Sequence, residues 1–207
     1  MVMVKRMILL FFACILFKSN VVFAQFGLMA GTNYSNLRQQ TPRIDTGPQL
    51  NFHLGLNYSW HPIEKIPNFS IRADLLLNNK GYRQILNDGH RQVRFNAMGF
   101  APMLRYQIAK TTGLHSGLEF NYFFDGNTVG SSEVFRQSER AVFLGIDLLN
   151  HRSVSFYIRG VFGISPLLNY VDFNPLDASI KGEFSDFFST TVLFGIQFSI
   201  QDEKKRN

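Results

Sequence analysis

Apolar and polar residues alternate along most of this chain. In the stretch Leu50-Asn51-Phe52-His53-Leu54-Gly55-Leu56-Asn57-Tyr58-Ser59-Trp60, large apolar side chains occupy one face and Asn, His, Gly and Ser the other. A period of two held over that length specifies a β-strand, because successive side chains of an extended backbone point to opposite faces. The pattern recurs. Phe26, Leu28, Ala30, Thr32 and Tyr34 alternate with Gly27, Met29, Gly31, Asn33 and Ser35, and Phe69, Ile71, Ala73, Leu75 and Leu77 with Ser70, Arg72, Asp74, Leu76 and Asn78. Leu114, Leu118, Phe120, Tyr122 and Phe124 oppose His115, Gly117, Glu119 and Asn121, while Val142, Leu144, Ile146 and Leu148 oppose Ala141, Phe143, Gly145 and Asp147. Val154, Phe156, Ile158, Phe162 and Ile164 oppose Ser155, Tyr157, Arg159, Gly163 and Ser165. Phe188, Thr190, Val192, Phe194, Ile196, Phe198 and Ile200 oppose Ser189, Thr191, Gly195, Gln197 and Ser199.

Residues 93–108 complete a set of eight strands but read in two phases, Phe95 and Ala97 setting one and Leu104, Tyr106 and Ile108 the other. Pro102 cannot donate to a ladder, so a β-bulge close to residues 99–102 is one expectation. The other is that the first half of the segment projects beyond a bilayer.

Alternation reports two faces without saying which is inside. A soluble, lipocalin-like barrel buries its apolar face, whereas an outer-membrane barrel turns it to lipid. Three features favour the second. The strands run to roughly 10–16 residues against a soluble mode of about five or six. Aromatics gather near strand ends, with Phe26, Trp60, Phe69, Tyr106, Phe156 and Phe198 at one rim and Tyr34, Phe52, Tyr82, Tyr122, Phe124, Phe162 and Phe188 at the other, as membrane-interface girdles require. The polar face carries Gly27, Gly31, Gly55, Gly117, Gly145, Gly163 and Gly195, which suits the crowded interior of a narrow barrel. The expected fold is an all-β, eight-stranded antiparallel up-and-down transmembrane β-barrel.

The N-terminus supports export. Lys5 and Arg6 precede an apolar run over 7–17, and Val22 and Ala24 suit cleavage after Ala24, so residues 1–24 read as a signal peptide. Lys18 stops the run well short of the roughly 20 residues a membrane-spanning helix needs. Cys14, the one cysteine, lies inside that run, and the mature chain is then free of thiols, disulfides and thiolate ligands. Removing Lys5, Arg6 and Lys18 lowers the basic count from 21 to 18 against 15 acidic residues, a net charge of +3. Those positives are scattered and match no nucleic-acid-binding motif. Residues 25–201 form one barrel domain and 202–207 a charged periplasmic tail.

Eight strands enclose only enough room for their own side chains. The inward set includes Arg72, Asp74, Glu119, Asp147 and Arg159, which must pair across the lumen because an unpaired buried charge costs several kcal/mol. No catalytic, cofactor or metal site is expected, and the inferred role is non-enzymatic. The shorter links at 61–68, 109–113 and 150–152 go to the periplasm together with both termini, and the longer ones at 37–48, 83–91, 126–137 and 166–184 face outward. The long loops mix signs (Arg38, Arg43 and Asp45; Asp88 and Arg91; Glu133 and Arg136; Asp172, Asp177 and Lys181) and name no ligand. An outer-membrane lipid-modifying enzyme would need a nucleophile such as Ser116 beside a base, and the alternation sends His115 to the other face.

The segment Gly27-Leu28-Met29-Ala30-Gly31-Thr32-Asn33-Tyr34-Ser35, the hairpin from Phe52-His53-Leu54-Gly55-Leu56 to Ile71-Arg72-Ala73-Asp74-Leu75-Leu76-Leu77, and its ending Asn79-Lys80-Gly81-Tyr82 resemble the PorT-like outer-membrane β-barrel family common in Bacteroidetes. The resemblance runs over essentially the whole mature chain and implies fold and outer-membrane location only; the partners expected of such a barrel are outer-membrane lipid and other envelope or secretion proteins, and no nucleic acid. One named member of that group assists type IX secretion. The family supplies no active site to transfer, and the charged tail after Ile200 departs from barrels that end on an aromatic.

Overall fold

The computed structural model describes residues 25–39, 45–63, 65–86, 89–126, 133–149, 153–173 and 180–200. The proposed signal peptide (1–24) and charged tail (202–207) lie outside them. Ten strands form among the described residues: β1 (Gln25–Gln39), β2 (Thr46–Trp60), β3 (Phe69–Leu86), β4 (Gly89–Ala109), β5 (Thr112–Gly126), β6 (Glu133–Phe135), β7 (Ser138–Leu148), β8 (Val154–Gly163), β9 (Leu168–Phe173) and β10 (Ile180–Ile200). All their pairings are antiparallel, and β1–β2–β3–β4–β5–β7–β8–β10 closes into a ring through the β1–β10 ladder from Phe26↔Ile200 to Gln39↔Phe187.

The eight-strand barrel is thus present, with two additions that composition concealed. β6 and β9 fall inside segments 126–137 and 166–184, which read as loops, and β10 begins there too. β9 pairs with the outer half of β10, on the edge that β8 occupies lower down, and β6 pairs with β9 as β7 pairs with β8. The wall of β7 and β8 therefore continues upward after an offset. At that offset Leu167 N donates to Phe187 O (2.7 Å), Leu167 O accepts from Arg136 N (3.0 Å), and the Leu167 side chain is buried.

Segment 93–108 does not contain the expected bulge. From Val93 to Arg105 the odd-numbered residues of β4 point inward without a break, and the β3–β4 register holds from Phe69↔Tyr106 to Leu86↔Gly89. The β4–β5 ladder skips Ala101 and Pro102 yet resumes in step. Its shifts lie elsewhere: between Asn96↔Asp125 and Ala97↔Phe123, where β5 carries the extra residue, and beside the turn, between Gln107↔Gly113 and Ala109↔Thr112, where β4 does. The apparent change of phase arises because Val93, Phe95 and Ala97 are apolar residues on the inward face. With Leu37, Tyr82, Phe123, Leu167 and Phe187 they make an apolar cap over the upper lumen. Tyr82, assigned above to an outer aromatic rim, belongs to this cap and is fully buried. Its ring lies 6.2 Å from that of Phe95.

Elsewhere alternation sorts the faces as expected. Leu54 is 54% and Phe120 43% exposed, whereas Arg72 and Asp147 are each 2% exposed. The large side chains form an outward belt around the ring, and the soluble inside-out arrangement is excluded by this burial.

Candidate functional site

Close packing inside the ring makes the lumen the chemically distinctive region. Met29, Leu76, Ala101, Met103, Phe143, Tyr157, Val161 and Leu193 fill part of it. Polar residues between them pair in layers. Glycine matters where a large neighbour needs the room: a Cβ on Gly195 would sit 2.5 Å from Tyr157 Oη. The Tyr157 hydroxyl spans the lumen to hydrogen-bond with His53 Nε2 on β2.

In the lower layer, Asp74 accepts from Arg72 Nε at 2.6 Å and from Arg159 Nη2 at 2.6 Å. Arg72 also donates to Gln197 Oε1 at 2.5 Å, which joins β3 to β10. The Arg159 guanidinium lies 4.3 Å from the Phe143 ring centroid, so its open face meets aromatic π density. Asp147 accepts from Arg105 Nε at 2.6 Å and has His115 Nδ1 at 3.3 Å. In the upper layer, Lys80 Nζ donates to Glu119 Oε1 (3.0 Å) and Glu139 Oε2 (3.1 Å). Asn121 Nδ2 bridges the same two oxygens, and Ser189 donates to Glu139 Oε1.

The structure brings Arg72, Asp74 and Arg159 into one cluster, with Asp147 in a neighbouring pair and Glu119 in the separate upper layer. Lys80, Arg105 and Glu139 were absent from the sequence-derived set. Each carried a signal: Lys80 continues the phase of Asp74 and Asn78, Glu139 that of Ala141 and Phe143, and Arg105 that of Ala101 and Met103. Lys80 and Glu139 lie two residues beyond the clearest alternation of β3 and β7, and Arg105 lies where the apolar phase of β4 changes face. With them, the lumen residues just named balance four basic against four acidic groups.

Trp60, Tyr106 and Phe198 lie toward the end where the chain enters and leaves the ring, and Tyr122 lies toward the other. Tyr106, Tyr122 and Phe198 are exposed on the outer face, while Trp60 is half-buried. Ser116 faces outward and His115 is buried beside Asp147, so the nucleophile–base pair of a lipid-modifying enzyme is not assembled there. No group of three or more His, Cys, Asp or Glu with metal-holding geometry occurs among the described residues.

One interruption in the wall has a side-chain remedy. The β2–β3 ladder breaks between Pro48↔Tyr82 and His53↔Asn78. Over the gap, Ser35 Oγ on β1 accepts from Gly81 N (2.9 Å) and donates to Gly81 O (2.6 Å), and Asn33 Nδ2 donates to Asn79 O (2.9 Å). Backbone groups in a wall facing lipid must be satisfied from within the protein. Ser35→Ala is therefore expected to lower stability by about 1–3 kcal/mol, the cost of a buried polar group left unmade. Urea unfolding of the refolded protein measures this, and a loss below about 0.5 kcal/mol, the range of an ordinary surface change, would mean that water replaces the hydroxyl.

The sequence matches no protein-family model and no curated protein. Several solved structures align with the chain over most of its length. OprG, an outer-membrane protein of Pseudomonas aeruginosa, aligns with a TM-score of 0.52 at 10% identity, over 87% of this chain and 98% of that one. Neisserial surface protein A gives 0.48 at 9% identity, over 84% and 97%. Ail of Yersinia pestis, solved with the heparin analogue sucrose octasulfate, gives 0.46 at 12% identity, over 86% and 99%. With OprG as counterpart and eight antiparallel strands in a closed ring, the chain has the fold of the eight-stranded outer-membrane β-barrels.

Proposed function

We propose that this chain is an integral outer-membrane protein with a filled, non-conducting lumen and a non-enzymatic structural or interaction role, exerted through the strands and loops at the extracellular end. The observation that carries this reading is the reversal of polarity: the ring exposes a continuous apolar belt and buries its charges in pairs. An apolar surface of that extent is stable against lipid acyl chains and would aggregate in water. The charge layers and apolar cap favour a plugged barrel over a pore. Export with cleavage after Ala24 fits the apolar N-terminal run, and periplasmic termini fit the short links at the end where Phe26 meets Ile200. The likeness of residues 27–35, 52–56 and 71–82 to PorT-like barrels supports kinship with that family, and through it an accessory role in secretion.

Fractionation, N-terminal sequencing, gel mobility, bilayer recording and co-purification test the reading. The expressed protein should fractionate with outer membranes, begin at Gln25, and run as a heat-modifiable band on gels. In planar bilayers it should show no unitary conductance steps. Extraction without detergent, or steady single-channel currents, would refute the membrane location and the plugged lumen respectively. Co-purification of secretion components from a membrane fraction checks the accessory role.

A further inference from the structure

The outer face of the β2–β3–β4 wall changes character in steps toward the extracellular end. Leu77 pairs with Met98 across β3 and β4, and both are exposed apolar residues. The next outward pair is Asn79↔Asn96, joined by an amide hydrogen bond of 2.7 Å. The next is Gly81↔Arg94, followed by Arg83↔Gln92. Each step advances two residues, about 7 Å along the strand. The surface thus runs from acyl-compatible, through amide, to guanidinium within roughly two such steps.

Arg83 and Arg94 are diagonal neighbours on adjacent strands, a separation of about 7–8 Å. The structure steers both toward the same edge of β2. Arg83 Nε donates to Pro48 O at 3.1 Å. Gln49, on β2, reaches across to β3 and β4. In the amide orientation that gives both ends of Gln49 backbone or guanidinium partners, its nitrogen donates to Tyr82 O (3.0 Å) and Val93 O (3.2 Å) and its oxygen accepts from Arg94 Nε at 2.7 Å. Arg94 Nη2 is further steadied by Gln92 Oε1 at 2.8 Å. Both side chains are exposed, and among the described residues neither guanidinium is in a salt bridge with a carboxylate. Two like charges held side by side repel, so the arrangement is best completed by an anion that takes charge-assisted bonds from both.

We propose that Arg83 and Arg94 form a fork for the phosphate of a lipid in the outer leaflet, whose acyl chains lie along Leu75, Leu77, Met98 and Phe100 below. The height of the fork above the apolar belt matches a head group, and the planar guanidinium suits a tetrahedral oxyanion better than a zwitterion whose own ammonium competes. This inference rests on the belt facing a bilayer.

The test separates the two. Wild-type protein and R83Q/R94Q are refolded into phosphatidylcholine vesicles, and heat-modifiable gel mobility reports insertion. Spin-labelled phosphatidic acid and spin-labelled phosphatidylcholine are then compared for motional restriction at the barrel surface. Wild type should prefer phosphatidic acid about tenfold, the factor that one charge-assisted bond near 1.4 kcal/mol provides. R83Q/R94Q should lose that preference, whereas R38Q/R140Q, which removes two other exposed arginines, should keep it. R83K, which keeps the charge without the planar fork and serves if the double variant does not insert, should lose most of it. Equal loss in R38Q/R140Q, retention in R83Q/R94Q or R83K, or abolition of the preference by inorganic phosphate in the buffer would overturn the proposal. Failure of the wild type to insert at all would instead defeat the membrane reading.

Discussion

Replacing Asp74 by alanine is expected to destabilise the barrel by about 3–5 kcal/mol, the penalty for removing one partner of a buried ion pair. Asp74 is wholly buried and is the shared acceptor of Arg72 and Arg159, so its loss strands two guanidiniums in the lumen at once. Arg159→Met should cost less, because the Arg72–Asp74 pair survives it and the methionine replaces packing against Phe143 and Met103. Combining the two changes should fall short of the sum of the single effects, since Arg159 is no longer there to be left unpaired. Urea titrations of the refolded variants, followed by gel mobility, give the three values. A D74A effect smaller than that of R159M would mean that water solvates the lumen and that the cluster is not a closed charge layer.

A single arginine placed on the belt should be nearly as damaging, but only in a bilayer. Leu144 is 63% exposed on β7, and its cross-strand partners are Ser116 and Gly160, in the middle third of their ladders. Leu144→Arg is expected to cost about 2–4 kcal/mol at mid-bilayer depth. Arginine at Ile200, at the chain-exit rim beside Phe26, should cost about 0–1 kcal/mol, because its guanidinium reaches the interface. The difference should shrink in detergent, which deforms around the charge. Equal costs at the two positions in vesicles would remove the belt as the basis of the proposed location.

The residues also show how far a linear reading reaches. The inward and outward assignments of Met29, His53, Arg72, Asp147 and Arg159 follow from period-two geometry, which is local and needs no partner strand. The same rule, carried two residues further along β3 and β7, includes Lys80 and Glu139. Val93, Phe95 and Ala97 defeated it for another reason. Periodicity identifies two faces by contrast, and here an apolar inward face stands above a polar one on the same strand. The pattern therefore mimicked a bulge at residues 99–102, while the irregularities of the β4–β5 ladder lay in β5, opposite Asn96 and Ala97, and in β4 at Ile108 beside the turn. Tyr82 misled in the same way, since an aromatic near a strand end fits both a girdle and a cap.

What the chain determined by itself was the number of wall strands, their long extent and the two chemical faces of each, because backbone pleat and side-chain polarity act over neighbouring residues. Closure decided the rest. Arg159 meets Asp74 from 85 positions away and Lys80 meets Glu139 from 59, and such partnerships depend on register around the whole ring, which no local pattern encodes. The gap between β2 and β3, the cap over the lumen and the convergence of Arg83 with Arg94 arise likewise, from strands that slide and stand off only once they are held in a closed barrel.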